Sequence, residues 1–161
     1  MDRAAKAVAL GLFVVLNFTA LHAEQVEITS NSFFADENKQ ISEFTGNVHI
    51  KKGAYDELFA NKVIVYFDTK RQPIKYVATG NARAKIAMKD KHYDGKGDTL
   101  TYEPATQTYT VTGNGHLHEV ETDKNVYGEK IVVNQNSGTY NVNSDEKKPV
   151  KFIFQIEDKA K

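Results

Sequence analysis

The sequence predicts an all-β fold made of stacked repeats, and three observations carry that prediction. The tripeptide Thr-Gly-Asn occurs at Thr45-Gly46-Asn47, Thr79-Gly80-Asn81 and Thr112-Gly113-Asn114, spaced 34 and then 33 residues apart. From Val26 onward the apolar clusters alternate with period two and are rich in Val, Ile, Tyr, Phe and Thr, the pattern of strands with one buried face. Turn formers separate them at short intervals: Lys52-Gly53, residues 68–73 and 94–97, Glu103-Pro104, and residues 136–138 and 145–149.

Each Thr-Gly-Asn is flanked by alternating strands. Ile41-Ser-Glu-Phe44, Ile74-Lys-Tyr-Val77 and Tyr109-Thr-Val111 lead in, and Val48-His-Ile50, residues 82–86 and residues 117–120 lead out. A third strand follows each copy, at residues 60–66, 97–102 and 128–133. A period of 20 to 50 residues marks repeats that bury their apolar faces only by stacking. Gly and Asn both tolerate positive φ. The pair therefore reads either as a tight hairpin turn or as a kink that bends one long strand. At the usual strand length of about five to six residues, the chain accommodates on the order of 12 to 16 strands. A degenerate fourth copy follows at Thr139-Tyr-Asn-Val142 and ends on Asn143-Ser144, as a terminal repeat should. No amphipathic helix is evident; residues 32–38 have the composition for one helical turn. The apolar run at residues 150–156 is an aggregation hazard unless its edge is covered or used.

The first residues carry Arg3 and Lys6, then an apolar run over 7–21, and Ala23 before the polar Glu24. A basic start, a short apolar stretch and a small residue at the cut describe a secretory signal peptide, so residues 1–23 are expected to be removed. Cleavage leaves 138 residues, expected to form one domain (24–161), with 19 basic and 20 acidic side chains. That balance supplies no field for drawing in nucleic acid. With no cysteine in the chain, sheet hydrogen bonding and burial must supply the stability.

Catalytic chemistry has little to stand on. His116 and His118, two apart on a strand, point to one face, but zinc needs further ligands, and a solvated face is the plainer reading. His49 and His92 are isolated among lysines and read as exposed. The carboxylates are scattered through turns, there is no Gly-x-Ser-x-Gly elbow and no phosphate-cradling glycine loop. The chain reads as a non-enzyme with no cofactor and no metal. Residues 63–67 are apolar without a break, as are 131–133; such strands are either central or apolar on a second, binding face.

The run Asn38-Lys-Gln-Ile-Ser-Glu-Phe-Thr-Gly-Asn-Val-His-Ile-Lys-Lys-Gly53, followed by Ala60-Asn-Lys-Val-Ile-Val65, resembles the OstA-like domain of the LptA family of periplasmic lipopolysaccharide transport proteins. The copy at Thr112 and the Gly128-Glu-Lys-Ile-Val-Val133 run share the resemblance, which covers about residues 26–143. It implies stacked, bent antiparallel strands in an open-ended β-jelly-roll. Its apolar groove would shield lipid A acyl chains while lipopolysaccharide passes from the inner to the outer membrane. It implies a periplasmic location, and as partners an inner-membrane adaptor and an outer-membrane translocon with the same type of domain, joined through a head-to-tail homo-oligomer. On this resemblance the alternating positions Val26, Ile28, Phe44, Val48, Ile50, Val63, Val65, Leu100, Tyr102, Val111, Leu117, Ile131, Val133 and Val142 are groove candidates. A carboxylate at Val65 or Leu100 is then expected to reduce lipid retention while sparing the sheet. The candidate pairing edges are Gln25, Val26, Glu27, Ile28 and Thr29 at one end. At the other they are Val150, Lys151, Phe152, Ile153, Phe154, Gln155 and Ile156. The competing readings are a membrane-anchored adaptor of the same pathway, an exported structural β-protein that binds no lipid, and a carbohydrate-active enzyme.

Overall fold

The computed structural model describes residues 24–158; the expected signal peptide lies outside the described residues. The strands are β1 (Val26–Thr29), β2 (Ser32–Asp36), β3 (Ile41–Lys52), β4 (Asp56–Phe67) and β5 (Pro73–Met88). They continue with β6 (Lys91–Glu103), β7 (Thr108–Glu119), β8 (Lys124–Asn134), β9 (Thr139–Asn143) and β10 (Lys151–Ile153). All pair antiparallel in one sheet of order β1-β3-β4-β5-β6-β7-β8-β10, with β2 also on β3 and β9 also on β8. The element order contains no helix among the described residues; residues 32–36, where a helical turn was admissible, are β2.

The central strands β3 to β8 are 11 to 16 residues long, far beyond the ordinary strand, because the Gly-Asn step bends a strand instead of ending it. Gly46, Gly80 and Gly113 have φ of 83°, 78° and 81°, and Asn47, Asn81 and Asn114 follow at 47°, 49° and 51°. The pairing register shifts at these steps, between Thr45 and Val48, Thr79 and Ala82, and Thr112 and Gly115. Each Thr-Gly-Asn strand carries one residue more than its neighbour there, which is a β-bulge, and bulges bend and twist a strand. Three aligned bulges crease the whole sheet into two wings. Ten strands among the described residues, six of them long, thus replace the 12 to 16 short ones that average lengths suggest.

The crease explains the inward pattern. On the bulged strands inward parity is kept across the bend, as in Ala78 and Ala82 or Val111 and Leu117. On the others it inverts, so that β4 buries Leu58 and Ala60 before the bend but Val63 and Val65 after it. The wings close on each other, and their inward rows form one apolar core in which Val63, Ala78, Leu100, Ile131 and Val133 are fully buried.

Glycine is required at the bend for two reasons. At Gly80 a Cβ would sit 2.7 Å from the Asn61 Nδ2 that lies over it, and φ is in the left-handed region, which costs an L-residue roughly 1–2 kcal/mol. Gly80→Ala should therefore lower stability by more than about 1 kcal/mol in denaturant unfolding. Adding Asn61→Ala should recover the steric part and leave the φ part. Wild-type stability for Gly80→Ala alone would overturn this account of the crease.

Candidate functional site

The structure places the groove candidates by alternation as follows. Val48, Ile50, Val63, Val65, Leu100, Tyr102, Val111, Leu117, Ile131 and Val133 are buried between the wings. Ile28, Phe44 and Val142 pack partly buried against them, and Val26 is 38% exposed at the edge. Leu58, Tyr76, Tyr93, Ile86, Met88 and Tyr109 face the same interior. They obey the same alternation and were open to the same inference. The interior is tightly packed. Between Ile50, Leu58, Tyr76, Tyr102 and Tyr109 the free volume is only about 20 Å³, room for about one water and far too little for an acyl chain. Val65 and Leu100 sit in the apolar core, where a carboxylate would be buried among apolar side chains, a costly arrangement. Such a change is therefore expected to cost stability of the sheet as well, against the expectation that it would spare it.

The open side of the crease, where the wing tips meet, is closed by polar and aromatic groups. Asp56, buried at the start of β4, is the hub. Its Oδ1 accepts the Ala87 N–H at 3.0 Å. Its Oδ2 accepts the Tyr109 hydroxyl at 3.2 Å and the Gln135 amide at 2.8 Å. The same Gln135 amide donates to the Ala87 carbonyl at 2.9 Å. Asp56 and Ala87 belong to one wing tip, and Gln135, in the β8–β9 turn, to the other, so these bonds fasten the mouth. Lys52 lies 3.6 Å from Asp56, with its ammonium over the Tyr102 ring at 5.1 Å, and Tyr102 stacks on Tyr109 at 4.3 Å. Burial, and then the Asp56 charge, push the Tyr109 hydroxyl far above its ordinary value. Burial works against the Lys52 ammonium, but Tyr102, Asp56 and Glu24 outweigh it and hold its pKa up. The Tyr109 hydroxyl therefore stays a donor and the Lys52 ammonium stays charged at neutral pH.

A second fastening lies further along the mouth. Tyr93 faces Tyr140 of the other wing, ring centroids 6.1 Å apart, and its hydroxyl donates to Glu119 at 3.4 Å. Burial and the Glu119 charge push the Tyr93 hydroxyl up to about 12. Glu119, 4% exposed, accepts from Lys91 at 2.7 Å and Thr122 at 2.6 Å.

Sequence reasoning missed this mouth, since Asp56 and Gln135 are 79 residues apart and each looks like an ordinary turn residue. It also missed Phe33 and Phe34 of β2, 61% and 59% exposed at the N-terminal end of the stack. The expected C-terminal strand is shorter than anticipated. Only Lys151–Ile153 pair, with β8, because the chain leaves the sheet before Phe154. His116 and His118 do share the outer face, but each has its own partner, Asn125 at 2.8 Å and Asp123 at 2.8 Å. No group of three or more His, Cys, Asp or Glu is gathered to hold a metal among the described residues. His49 and His92 are not simply exposed: His49 pairs with Glu57 at 3.2 Å and His92 with Glu121.

The architecture is that of a β-jelly-roll open at both ends, whose inner surface is apolar from end to end. A family model described as "LptA/(LptD N-terminal domain) LPS transport protein" matches residues 27–139. The chain belongs to this lipopolysaccharide transport family. Among solved structures it is similar to LptH, the LptA-homologous periplasmic component of the lipopolysaccharide transport device from Pseudomonas aeruginosa. The TM-score is 0.72 at 15% identity, over 82% of this chain and 96% of that one; at that identity the likeness speaks for the fold. No curated protein sequence matches significantly.

The Glu119 carboxyl sets a pH dependence. Burial raises its pKa, but the Lys91 and Thr122 hydrogen bonds and the lysine charges outweigh this and hold it below the ordinary 4.5. A group with a depressed folded pKa stabilises the fold above its unfolded value, and that stability is lost as pH falls through the folded value. Thermal unfolding should therefore show an acid-side loss below about pH 4.5 that is smaller in Glu119→Gln. An identical acid limb in the variant would show that this pairing contributes nothing.

Proposed function

We propose that this chain is a periplasmic, non-enzymatic carrier that holds lipopolysaccharide by its acyl chains between the two wings and hands it on through copies joined end to end. The observation that carries the reading is the continuous apolar inner surface of a creased sheet in a chain of the lipopolysaccharide transport family. Each CH₂ withdrawn from water contributes about 0.8 kcal/mol, so an acyl chain gains enough there to replace the contacts between the wings. The packed interior has no room for one as it stands, so loading requires the wing tips to part. The bonds that must break are those of Asp56, Tyr109 and Gln135.

Lipid loading tests this directly. The purified protein is incubated with lipopolysaccharide, passed over a gel-filtration column and extracted for mass spectrometry. Stoichiometric lipid A is expected, and Gln135→Ala, which loosens the mouth, should load several-fold faster. A lipid-free peak from folded protein would refute the carrier reading. Unchanged loading kinetics in Gln135→Ala would refute entry at this mouth.

The ends of the stack support the assembly. Both wings stop on short strands with a free edge, β1 and β2 at one end and β10 and β9 at the other. Large apolar side chains are exposed beside them, Phe33 and Phe34 at the first end, Phe152 and Phe154 at the second. Such edges pair by strand addition, with β1 of one copy continuing the wing that β10 ends in another. Partner proteins carrying the same domain would dock by the same pairing. Deleting residues 150–161 should abolish concentration-dependent association in sedimentation velocity. Association that survives the deletion would exclude this end as the interface.

A further inference from the structure

The outer face of the wing formed by β1, β3 to β8 and β10 carries two adjacent rows of side chains with different charge character. In the row nearer the tips, Lys51, Glu57, Lys85, Asp94 and His118 stand opposite one another on successive strands, alternating in sign as a stable sheet face should. The next row, beside the crease, runs His49, Phe59, Arg83, Lys96, His116 and Tyr127, each directly opposite the next. It contains no carboxylate. Arg83 and Lys96 face each other across a strand pair, an arrangement that destabilises a sheet by like-charge repulsion.

Nearby acids do not relieve it. Glu57 is engaged by His49 at 3.2 Å, Asp94 stands 4.0 Å from His118, and the Asp98 carboxylate lies over Gly113. Neither Arg83 nor Lys96 has a carboxylate within 4 Å among the described residues. The flanking side chains hold the row in place. His49 stacks on Phe59 at 4.3 Å and 11°, and the Arg83 guanidinium lies 4.5 Å from the same ring. His116 stacks on Tyr127 at 4.4 Å and 2°, its Nε2 fixed by Asn125.

The row borders two hollows that share Phe59, Arg83 and Lys96. One, of about 290 Å³, reaches His116 and His118. The other, of about 650 Å³, lies along the crease and is lined by Asn47, Asn61, Asn81 and Asn114. Three of these amides are the Asn of the Thr-Gly-Asn bends. The positive-φ step that creases the sheet thus also brings a line of amide donors and acceptors beside a pair of uncompensated cations.

The geometry points to this crease as a binding site for a phosphorylated saccharide. The phosphate sits between Arg83 and Lys96, with His116 adjacent, and the sugar hydroxyls lie on the Asn81, Asn61 and Asn114 amides. Charge-assisted bonds to an anion convert the repulsion into attraction. The asparagine amides suit hydroxyls, and the Phe59 ring beside them offers an apolar surface to the face of a sugar. The site is on the outer surface, away from the packed interior, and does not rest on the lipid reading.

The test is a titration of the ¹⁵N-labelled protein, followed by backbone amide shifts. The probes are the phosphorylated oligosaccharide left by full deacylation of lipopolysaccharide, its dephosphorylated form, and inorganic phosphate. Saturable shifts are expected at Asn81, Arg83, Lys96 and His116. Affinity should fall at least tenfold for the dephosphorylated sugar, for inorganic phosphate, and in Arg83→Ser or Lys96→Ser. Both positions are exposed, so the variants should melt no lower than wild type, whereas a structural role would lower the midpoint. Gln135→Ala should bind the sugar as wild type does, which separates this site from entry at the mouth. Shifts confined to the wing tips, unchanged affinity in both serine variants, or equal binding of inorganic phosphate would each overturn the proposal.

Discussion

The rest of the structure depends on one backbone constraint, a glycine at φ near +80° followed by an asparagine near +50°, repeated on alternate long strands. An ordinary residue cannot take the first position without strain, and the Asn61 side chain over Gly80 leaves no space for one. Because the steps lie level with each other across the sheet, their bulges add into a single crease. Without the crease, β3 to β8 would form a flat two-faced sheet with half of the core residues facing water. With it, the sheet supplies both walls of its own core, and a chain without cysteine needs no disulfide.

The same crease sets the two ends and the mouth apart as distinct surfaces. The ends are free strand edges flanked by phenylalanines. The mouth is polar and is closed by hydrogen bonds among Asp56, Tyr109, Gln135 and Ala87. A net protein hydrogen bond is worth only about 0.5–1.5 kcal/mol when water can replace it. Buried apolar side chains such as Leu100 or Ile131 are each worth about 1.5–3 kcal/mol. Parting the tips locally is therefore inexpensive, while separating the wings completely is not, unless something apolar takes the place of the opposite wall.

Much of this was legible in the sequence, for reasons that particular residues make plain. The Thr-Gly-Asn period and the alternation at Val63 and Val65 or Ile131 and Val133 are local signals, and they led to an all-β stack with those side chains inward. Whether Gly-Asn turns a chain or bends a strand is not local. The choice depends on Asn61 and Asp98 of the neighbouring strands, which lie over Gly80 and Gly113. The mouth was hidden for the same reason, since Asp56 meets Gln135 only after four intervening strands have folded. The C-terminal strand was overestimated because apolar alternation continues to Ile156 while pairing stops at Ile153; exposed apolar ends and paired strands look alike until the neighbour is known.

On the carrier reading, the closed interior and the apolar cargo are two states of one energy balance. Opening exposes both inner faces to water, and an acyl chain of about twelve methylenes returns on the order of 10 kcal/mol at about 0.8 kcal/mol each. The cargo thus supplies the burial that the opposite wing gave up. What remains uncompensated is the polar fastening at the mouth, a few hydrogen bonds whose groups are rehydrated once the tips part. That asymmetry favours a protein that stays shut and soluble when empty and opens only against a lipid. It also gives a physical reason for sealing the mouth with Asp56, Tyr109 and Gln135, where an interlocked apolar seam would hold as firmly against cargo as against water.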